Sequence, residues 1–156
     1  MIKNILCVDF KYEDDKFYRK FKTKWVCCND VKSDKGYIRI EINKKKYPLH
    51  RLIYKYHNED WDITYSHNNQ IDHININSLD NRIENLRVLT ASQNNRNRNK
   101  FKNCSSIYKG VSWHKRDKKW FARINIDGKN KYLGQFDNEE EAHLAYEKEY
   151  EELMPV

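Results

Sequence analysis

The chain has 156 residues, of which 34% are charged and 38% are hydrophobic. That amount of apolar material is enough for one or two small domains and excludes a single large core. The formal net charge of +7 favours a polyanionic partner, and no apolar run approaches the roughly 18 residues of a membrane-spanning helix.

Four cysteines are present: Cys7, Cys27, Cys28 and Cys104. None of them stands in a C-x-x-C pair suited to zinc or redox chemistry, so we interpret them as reduced thiols of an intracellular protein. The opening MIKNILCVDFKYEDD turns acidic before an apolar run develops, which predicts that the protein is not secreted. The bias towards Lys, Asn and Ile indicates an AT-rich genome, such as that of a virus, a phage or an organelle.

Residues 1–34 form a mixed lead-in whose role the sequence does not reveal. Within it, WVC at 25–27 predicts a short strand and NDVKSDKG a turn. Isoleucines then alternate with polar residues from Tyr37 to Ile42, which predicts a β-hairpin that turns at Asn43–Lys46. A short helix is predicted at His50–Tyr56. The lysines of the hairpin turn either contact phosphate or are simply solvated.

Residues 70–97 are crowded with asparagine, a residue that favours turns and helix caps over packed cores. QIDHI predicts a short strand, NINSLDNRIEN a polar loop, and LRVL a second strand. Thr90 followed by Gln93 is a capping box, so a helix is predicted to begin at residue 91. This order of strand, strand and helix surrounds one point. The polar side chains expected near it are Asp72, His73, Asn85 and Asn94.

The order and spacing of D-H at 72–73, N-L at 85–86 and N at 94 resemble the HNH nuclease family, in its homing-endonuclease branch. HRLI at 50–53 and DNRIENL at 80–86 fit the same pattern. The resemblance implies a ββα-metal nuclease module over residues 35–96, with one divalent ion per active site. It also implies that Asn85 orients His73 or braces the loop.

Hydrolysis of a phosphodiester requires an activated water and a Lewis acid at the phosphate. His73 is the natural base, because an unperturbed histidine has a pKa of about 6.5. Asp72 and Asn94 offer oxygen ligands of the type that Mg²⁺ or Mn²⁺ prefers. The family often has His at the last position, and Asn94 suits Mg²⁺ better than Zn²⁺. The sequence leaves open whether Asn95 replaces Asn94 and whether Asn81 shares the bracing of the loop.

The histidine at the start of the predicted helix, His50, has two readings. It either packs or caps, or it adds a proton donor to the site, and packing or capping is favoured. Residues 97–106 form a basic, polar linker. Between Gln93 and Lys119, nine Lys or Arg stand against one acid, so the linker and the start of the next unit form the most basic part of the chain. The linker, with Arg96 and Arg98, either follows DNA or is a disordered spacer.

Residues 107–156 predict three strands, with a hairpin turn at IDGK, and a helix that begins after Asp137 or Asn138. YKGV, KWFARI, YLGQFD and EEAHLAY resemble the DNA-binding domain of the APETALA and ethylene-response factors. The resemblance implies a three-stranded antiparallel sheet that enters the major groove. The matching DNA-facing positions are Lys109, Ser112, Arg123, Asn125, Asn130 and Tyr132, with further backbone or stacking contacts from Trp113, Lys115 and Lys119. Trp113 and Trp120 fit a core equally well.

Charge supports this orientation. Residues 107–135 hold eight basic and two acidic side chains, whereas residues 136–156 hold one basic and eight acidic. The sheet is therefore expected to face DNA and the helix to face away.

The sequence thus predicts an α+β protein in which a ββα-metal nuclease module precedes a small three-stranded antiparallel sheet packed on one helix. The function predicted is a metal-dependent homing-type endonuclease that acts on double-stranded DNA, compatible with a monomer and without a membrane partner. A non-catalytic DNA-binding or regulatory protein derived from a mobile element is the alternative. An RNA-binding protein would require aromatic recognition motifs that the sequence lacks.

Overall fold

The computed structural model describes residues 1–31, 36–98 and 104–154. Two compact units divide the chain, Met1–Leu89 and Thr90–Val156. Both mix helices with antiparallel strands, so the predicted α+β class is confirmed. The turn predicted at 29–36 and the linker predicted at 97–106 lie partly outside the described residues. None of the described helices is long and apolar enough to cross a membrane.

The lead-in of the first unit is a four-stranded antiparallel sheet, of which only the strand at 25–27 was predicted. The strands follow one another in space as they do in sequence: β1 (Ile2–Ile5), β2 (Val8–Glu13), β3 (Lys16–Phe21) and β4 (Lys24–Cys27). Its turns are built on non-glycine residues with positive φ, such as Leu6 and Asp14. Because tight hairpin turns normally carry Gly or Asn, the sequence gives little sign of them.

A hairpin and a helix complete the core of the first unit. Strands β5 (Arg39–Ile42) and β6 (Lys45–Pro48) form the predicted hairpin, and α1 (Leu49–His57) follows it directly. The helix turns its apolar stripe inwards at helical spacing. The core joins side chains of α1 and of the N-terminal sheet, and its fully buried members include Leu52, Ile53, Phe10 and Phe17. The N-terminal sheet therefore supports the helix that follows the hairpin.

A two-stranded ribbon lies after α1 in the chain. Strands β7 (Gln70–His73) and β8 (Leu86–Leu89) pair antiparallel, as predicted, and a 3₁₀ turn at Ile83–Asn85 leads into β8. Arg51 of α1 holds the loop between α1 and β7 in place. Its buried guanidinium donates to the backbone oxygens of Ile63, Thr64 and Asn69. The start of β7 is thereby fixed relative to α1.

The second unit begins with the short helix α2 (Ala91–Arg96), whose capping box at Thr90 is present as predicted. A three-stranded antiparallel sheet of order β11-β10-β9 follows. Its elements are β9 (Val111–His114), β10 (Lys119–Ile126), β11 (Lys129–Phe136) and α3 (Glu139–Leu153). Helix α3 begins after Asn138, which caps it, and Ala142 and Tyr146 are buried. The sequence predicts a packing face of Ala142, Leu144, Ala145 and Tyr146 for this helix, but Leu144 is 66% exposed, because it faces away from the sheet.

Candidate active site and DNA-binding surface

His73, the candidate base, is buried at the end of β7. Its Nε2 lies 3.1 Å from Oδ1 of Asn81, and Nδ2 of Asn81 donates to the backbone oxygen of Leu79. The second bond orients the amide, so that its oxygen and not its nitrogen faces the ring. With this amide orientation, a neutral His73 would carry its proton on Nε2 and present Nδ1 as the basic nitrogen.

Two other rings surround His73. The His50 ring meets it edge-on with centroids 5.1 Å apart, and Tyr37 lies 5.6 Å from His50 and 6.2 Å from His73. Burial lowers the pKa of His50 to about 3, with further contributions from the charges of His73 and Arg51. His50 is therefore neutral at physiological pH. Nothing in the sequence around Tyr37 indicates that it lies near His73, since Tyr37 precedes the β5–β6 hairpin and His73 belongs to the β7–β8 ribbon.

Asp72, a predicted metal ligand, lies opposite Arg87 in the ribbon. The Nε of Arg87 donates to Oδ2 of Asp72 over 3.1 Å, and both side chains are largely buried. This cross-strand pair compensates the cost of placing a carboxylate away from water. Asp72 and His73 are thus neighbours in sequence with different surroundings, a guanidinium for one and aromatic rings for the other.

The asparagines after β7 hold its loop together. Asn85 accepts a hydrogen bond from the backbone N–H of Asn75 and donates to Oδ1 of Asn75, both over 3.0 Å. It also donates to the backbone oxygen of Asp80 over 2.7 Å. These contacts brace the loop, whereas the contact with the His73 ring comes from Asn81. In the structure, Asn85 therefore contacts the loop and Asn81 contacts the His73 ring.

Asp80 anchors the same loop through charge. The Arg82 guanidinium donates to both of its carboxylate oxygens, over 2.9 and 2.8 Å, and Asn75 donates to Oδ2 over 2.8 Å. These hydrogen bonds, that of Arg82 first, hold the pKa of Asp80 well below its ordinary range. The loop that carries Asn81 is therefore locked by an ionised aspartate.

Asn94 lies on α2 and belongs to the second compact unit. It is half-buried, whereas Asn95 is exposed. The described residues contain no cluster of three or more His, Cys, Asp or Glu side chains. Asp72 and Asn94 belong to different units, and the carboxylate of one and the amide of the other are each hard oxygen donors of the type that Mg²⁺ or Mn²⁺ accepts.

One face of the C-terminal sheet gathers five of the six residues whose side chains were predicted to face DNA. Side chains alternate between faces along a strand, and the register pairs Ser112 with Phe121, Arg123 with Tyr132 and Asn125 with Asn130. The predicted residues that share this face are Ser112, Arg123, Asn125, Asn130 and Tyr132. Trp113 instead pairs with Trp120, with ring centroids 5.1 Å apart, on the opposite face.

The remaining predicted cations have different surroundings. Lys119 forms an ion pair with Asp137, and Lys115 is exposed in the turn between β9 and β10. Lys109 donates to the backbone oxygens of Arg96 and Arg98. Burial lowers its pKa, and the charge of Arg98 adds to the effect. Arg96, Arg98 and Lys109 are therefore brought together, apart from Lys115 and Lys119.

Two segments of the chain match known family models. Residues 47–96 match a family model described as HNH endonuclease, a segment that runs from β6 through α2. Residues 106–153 match a model described as AP2 domain. No curated protein and no solved structure matches the chain. HNH nucleases generally use a divalent metal ion. The chain therefore combines an HNH endonuclease domain with a C-terminal AP2 domain, the composition of a DNA-binding nuclease.

Proposed function

We propose that the protein is a metal-dependent endonuclease of the homing type. It hydrolyses phosphodiester bonds of double-stranded DNA at a site that its C-terminal domain selects. The observation that carries the proposal is the hydrogen bond between His73 and Asn81 within the segment that matches the HNH model. That bond orients the imidazole as a base at the end of β7.

In the proposed reaction, Nδ1 of His73 accepts the proton of the attacking water. Asn81 holds the Nε2–H tautomer, and the neutral His50 packs beside the ring without adding charge. The family resemblance assigns Asp72 and Asn94 to one Mg²⁺ or Mn²⁺ ion. When bound, such an ion polarises the scissile phosphate and stabilises the charge that develops on it. Asn85 keeps the loop in place.

Site selection is proposed for the exposed face of the C-terminal sheet. Arg123, Asn125 and Tyr132 are exposed there, and guanidinium and amide groups are the side chains that read base edges in the major groove. Helix α3 packs on the other face and carries the acidic residues, which would repel a DNA backbone. Arg96, Arg98, Lys109, Lys115 and Lys119 are proposed to contact DNA phosphates.

The test is cleavage of a randomised supercoiled plasmid pool by the wild type and by His73→Ala, with Mg²⁺ and with EDTA, followed by mapping of the ends. Metal-dependent breaks that disappear in His73→Ala support the proposal. His67→Ala is the matched control, because His67 is an exposed histidine of the same unit. DNA that both proteins bind and leave intact would favour the alternative, a non-catalytic DNA-binding protein derived from a mobile element.

A further inference from the structure

A cavity of about 560 Å³ lies within the second unit, bordered by α2 and by strands β9 and β10. Its described lining residues include four cations and no carboxylate. The cations are Arg96, Arg98, Lys109 and Arg123. Positive charge concentrated in a concave, low-dielectric site attracts anions strongly. The electrostatics of the cavity therefore favour an anionic ligand.

Arg96 gives this cavity a fixed, buried donor. Only 7% of the residue is exposed, and Nη1 is held by Oγ of Ser92 over 3.1 Å and by the backbone oxygen of Asn125 over 3.3 Å. Among the described residues, none accepts a hydrogen bond from its buried Nε. A buried donor without an acceptor is costly. This Nε is closed off from the cavity, so a phosphate there would meet the charge of the Arg96 guanidinium and not this donor.

Lys109 adds a second oriented cation. Its ammonium group is held by the backbone oxygens of Arg96 and Arg98, and burial lowers its pKa. Both neighbouring side chains are cationic, so an anion between them would stabilise all three charges. The three cations are thus placed to bind one negatively charged group.

The volume is larger than one phosphate requires and lies within the range of small-molecule sites, about 300–1,000 Å³. Tyr108 contributes half-buried aromatic surface to the lining and Asn125 and Asn130 contribute amides, whereas the ring of Tyr146 is buried against Gly110. Aromatic rings stack on bases and amides bind their edges. These groups fit a nucleoside attached to the phosphate.

We propose that this cavity binds a nucleotide through its phosphate, with Arg96, Arg98 and Lys109 as the phosphate-binding residues. The phosphate belongs either to a free nucleotide or to a nucleotide of a DNA strand. The inference deepens the DNA-binding part of the proposed function, which assigns the same three cations to DNA phosphates, and it does not rest on the proposed reaction centre.

The test is calorimetric titration of the full chain with dAMP, deoxyadenosine and inorganic phosphate at low ionic strength. We expect dAMP to bind, phosphate to bind more weakly and deoxyadenosine not to bind. Arg98→Ala and Lys109→Gln should each weaken dAMP binding by about tenfold, the effect of losing one charged hydrogen bond. Lys148→Ala removes an exposed cation of α3 and should leave the affinity unchanged.

Competition with a short duplex identifies the source of the phosphate. Displacement of dAMP by the duplex indicates a nucleotide of a DNA strand, and simultaneous binding indicates a free nucleotide; both results support the site. The proposal is overturned if dAMP and deoxyadenosine bind equally or not at all, or if folded Arg98→Ala and Lys109→Gln keep the wild-type affinity. His73→Ala should bind dAMP as the wild type does, which separates this inference from the nuclease proposal.

Discussion

Oδ1 of Asn81 lies 3.1 Å from Nε2 of His73, and the amide nitrogen of Asn81 donates to the carbonyl of Leu79. The loop that follows β7 therefore determines which nitrogen of His73 is basic. A histidine whose Nε2 donates to a fixed acceptor presents Nδ1 as the base. The proposed chemistry consequently depends on a residue that does not itself meet the substrate.

Asn81→Ala is expected to slow DNA cleavage by about tenfold to a hundredfold, the usual effect of losing an orienting hydrogen bond. His73→Ala should cost about a hundredfold or more, because the base itself is lost. The measurement is the single-turnover cleavage rate with Mg²⁺ as a function of pH. Asn81→Asp keeps an acceptor, so it should restore much of the rate and shift the pH profile upwards, since a carboxylate favours the charged imidazole.

Asn68→Ala is the control for this series, because Asn68 is an exposed asparagine of the same unit. Its rate should equal that of the wild type. A folded Asn81→Ala protein that cleaves at the wild-type rate would contradict the positioning role.

Asp80→Asn is expected to lower the melting temperature by about 2–4 °C at pH 6. Because the folded-state pKa of Asp80 is lowered, its stabilising contribution is present above its ordinary pKa of about 3.9 and is lost as the pH falls below that value. The difference in melting temperature between wild type and variant should therefore shrink between pH 6 and pH 3. A difference that does not depend on pH would contradict the ionic role.

Burial raises the pKa of the Cys28 thiol to about 12, so almost no thiolate forms at pH 8. We expect iodoacetamide to modify the exposed Cys7 of the native protein and to spare Cys28 until the first unit unfolds. The raised pKa means that the neutral, buried Cys28 thiol stabilises the folded state. This contribution to the free energy of unfolding is complete below the ordinary thiol pKa of about 8.5 and is lost as the pH rises towards 12. Mass spectrometry of tryptic peptides measures both sites, and equal rates for the two cysteines would refute burial.

Local chemistry accounts for the parts of the fold that the sequence predicted. The Thr90–Gln93 capping box, the alternation from Tyr37 to Ile42 and the Asp–Gly turn of the C-terminal hairpin are each contained within a few residues. The N-terminal sheet lacked such signs, because its turns use residues like Leu6 and Cys7 at positive φ.

Contacts between distant segments account for what was missed at the site. The sequence analysis weighed His50 as a member of the site, but the place of Tyr37 beside His50 and His73 depends on how a hairpin and a helix pack on the ribbon, and no spacing encodes it. The face of the sheet on which Trp113 lies was also left open by the sequence. Its side of the sheet follows from its register with Trp120, which the sequence alone did not determine.

Gly110→Ala is expected to destabilise the second unit strongly. Gly110 has φ +74°, and an added Cβ would overlap the ring of Tyr146 and lie 2.7 Å from the backbone oxygen of Arg123. The left-handed backbone costs about 1–2 kcal/mol for an L-residue, and the overlap adds about 1–3 kcal/mol. Thermal unfolding measures the loss.

Gly128→Ala is the matched control for this prediction. Gly128 has φ +82° and open space around its Cα, so only the backbone cost of about 1–2 kcal/mol applies. Equal destabilisation by the two substitutions would show that the approach of Tyr146 does not constrain residue 110.

Helix α2 ends the segment that matches the HNH endonuclease model, yet two of its side chains are engaged with the AP2-type sheet. Ser92 accepts from the backbone N–H of Asp127, and Arg96 donates to the backbone oxygen of Asn125. If recombination joined a DNA-binding domain from another protein after residue 96, helix α2 would pack against a sheet with which it had not evolved. The last helix of the nuclease and its reader are therefore expected to be inherited together, with exchange tolerated better near residue 89.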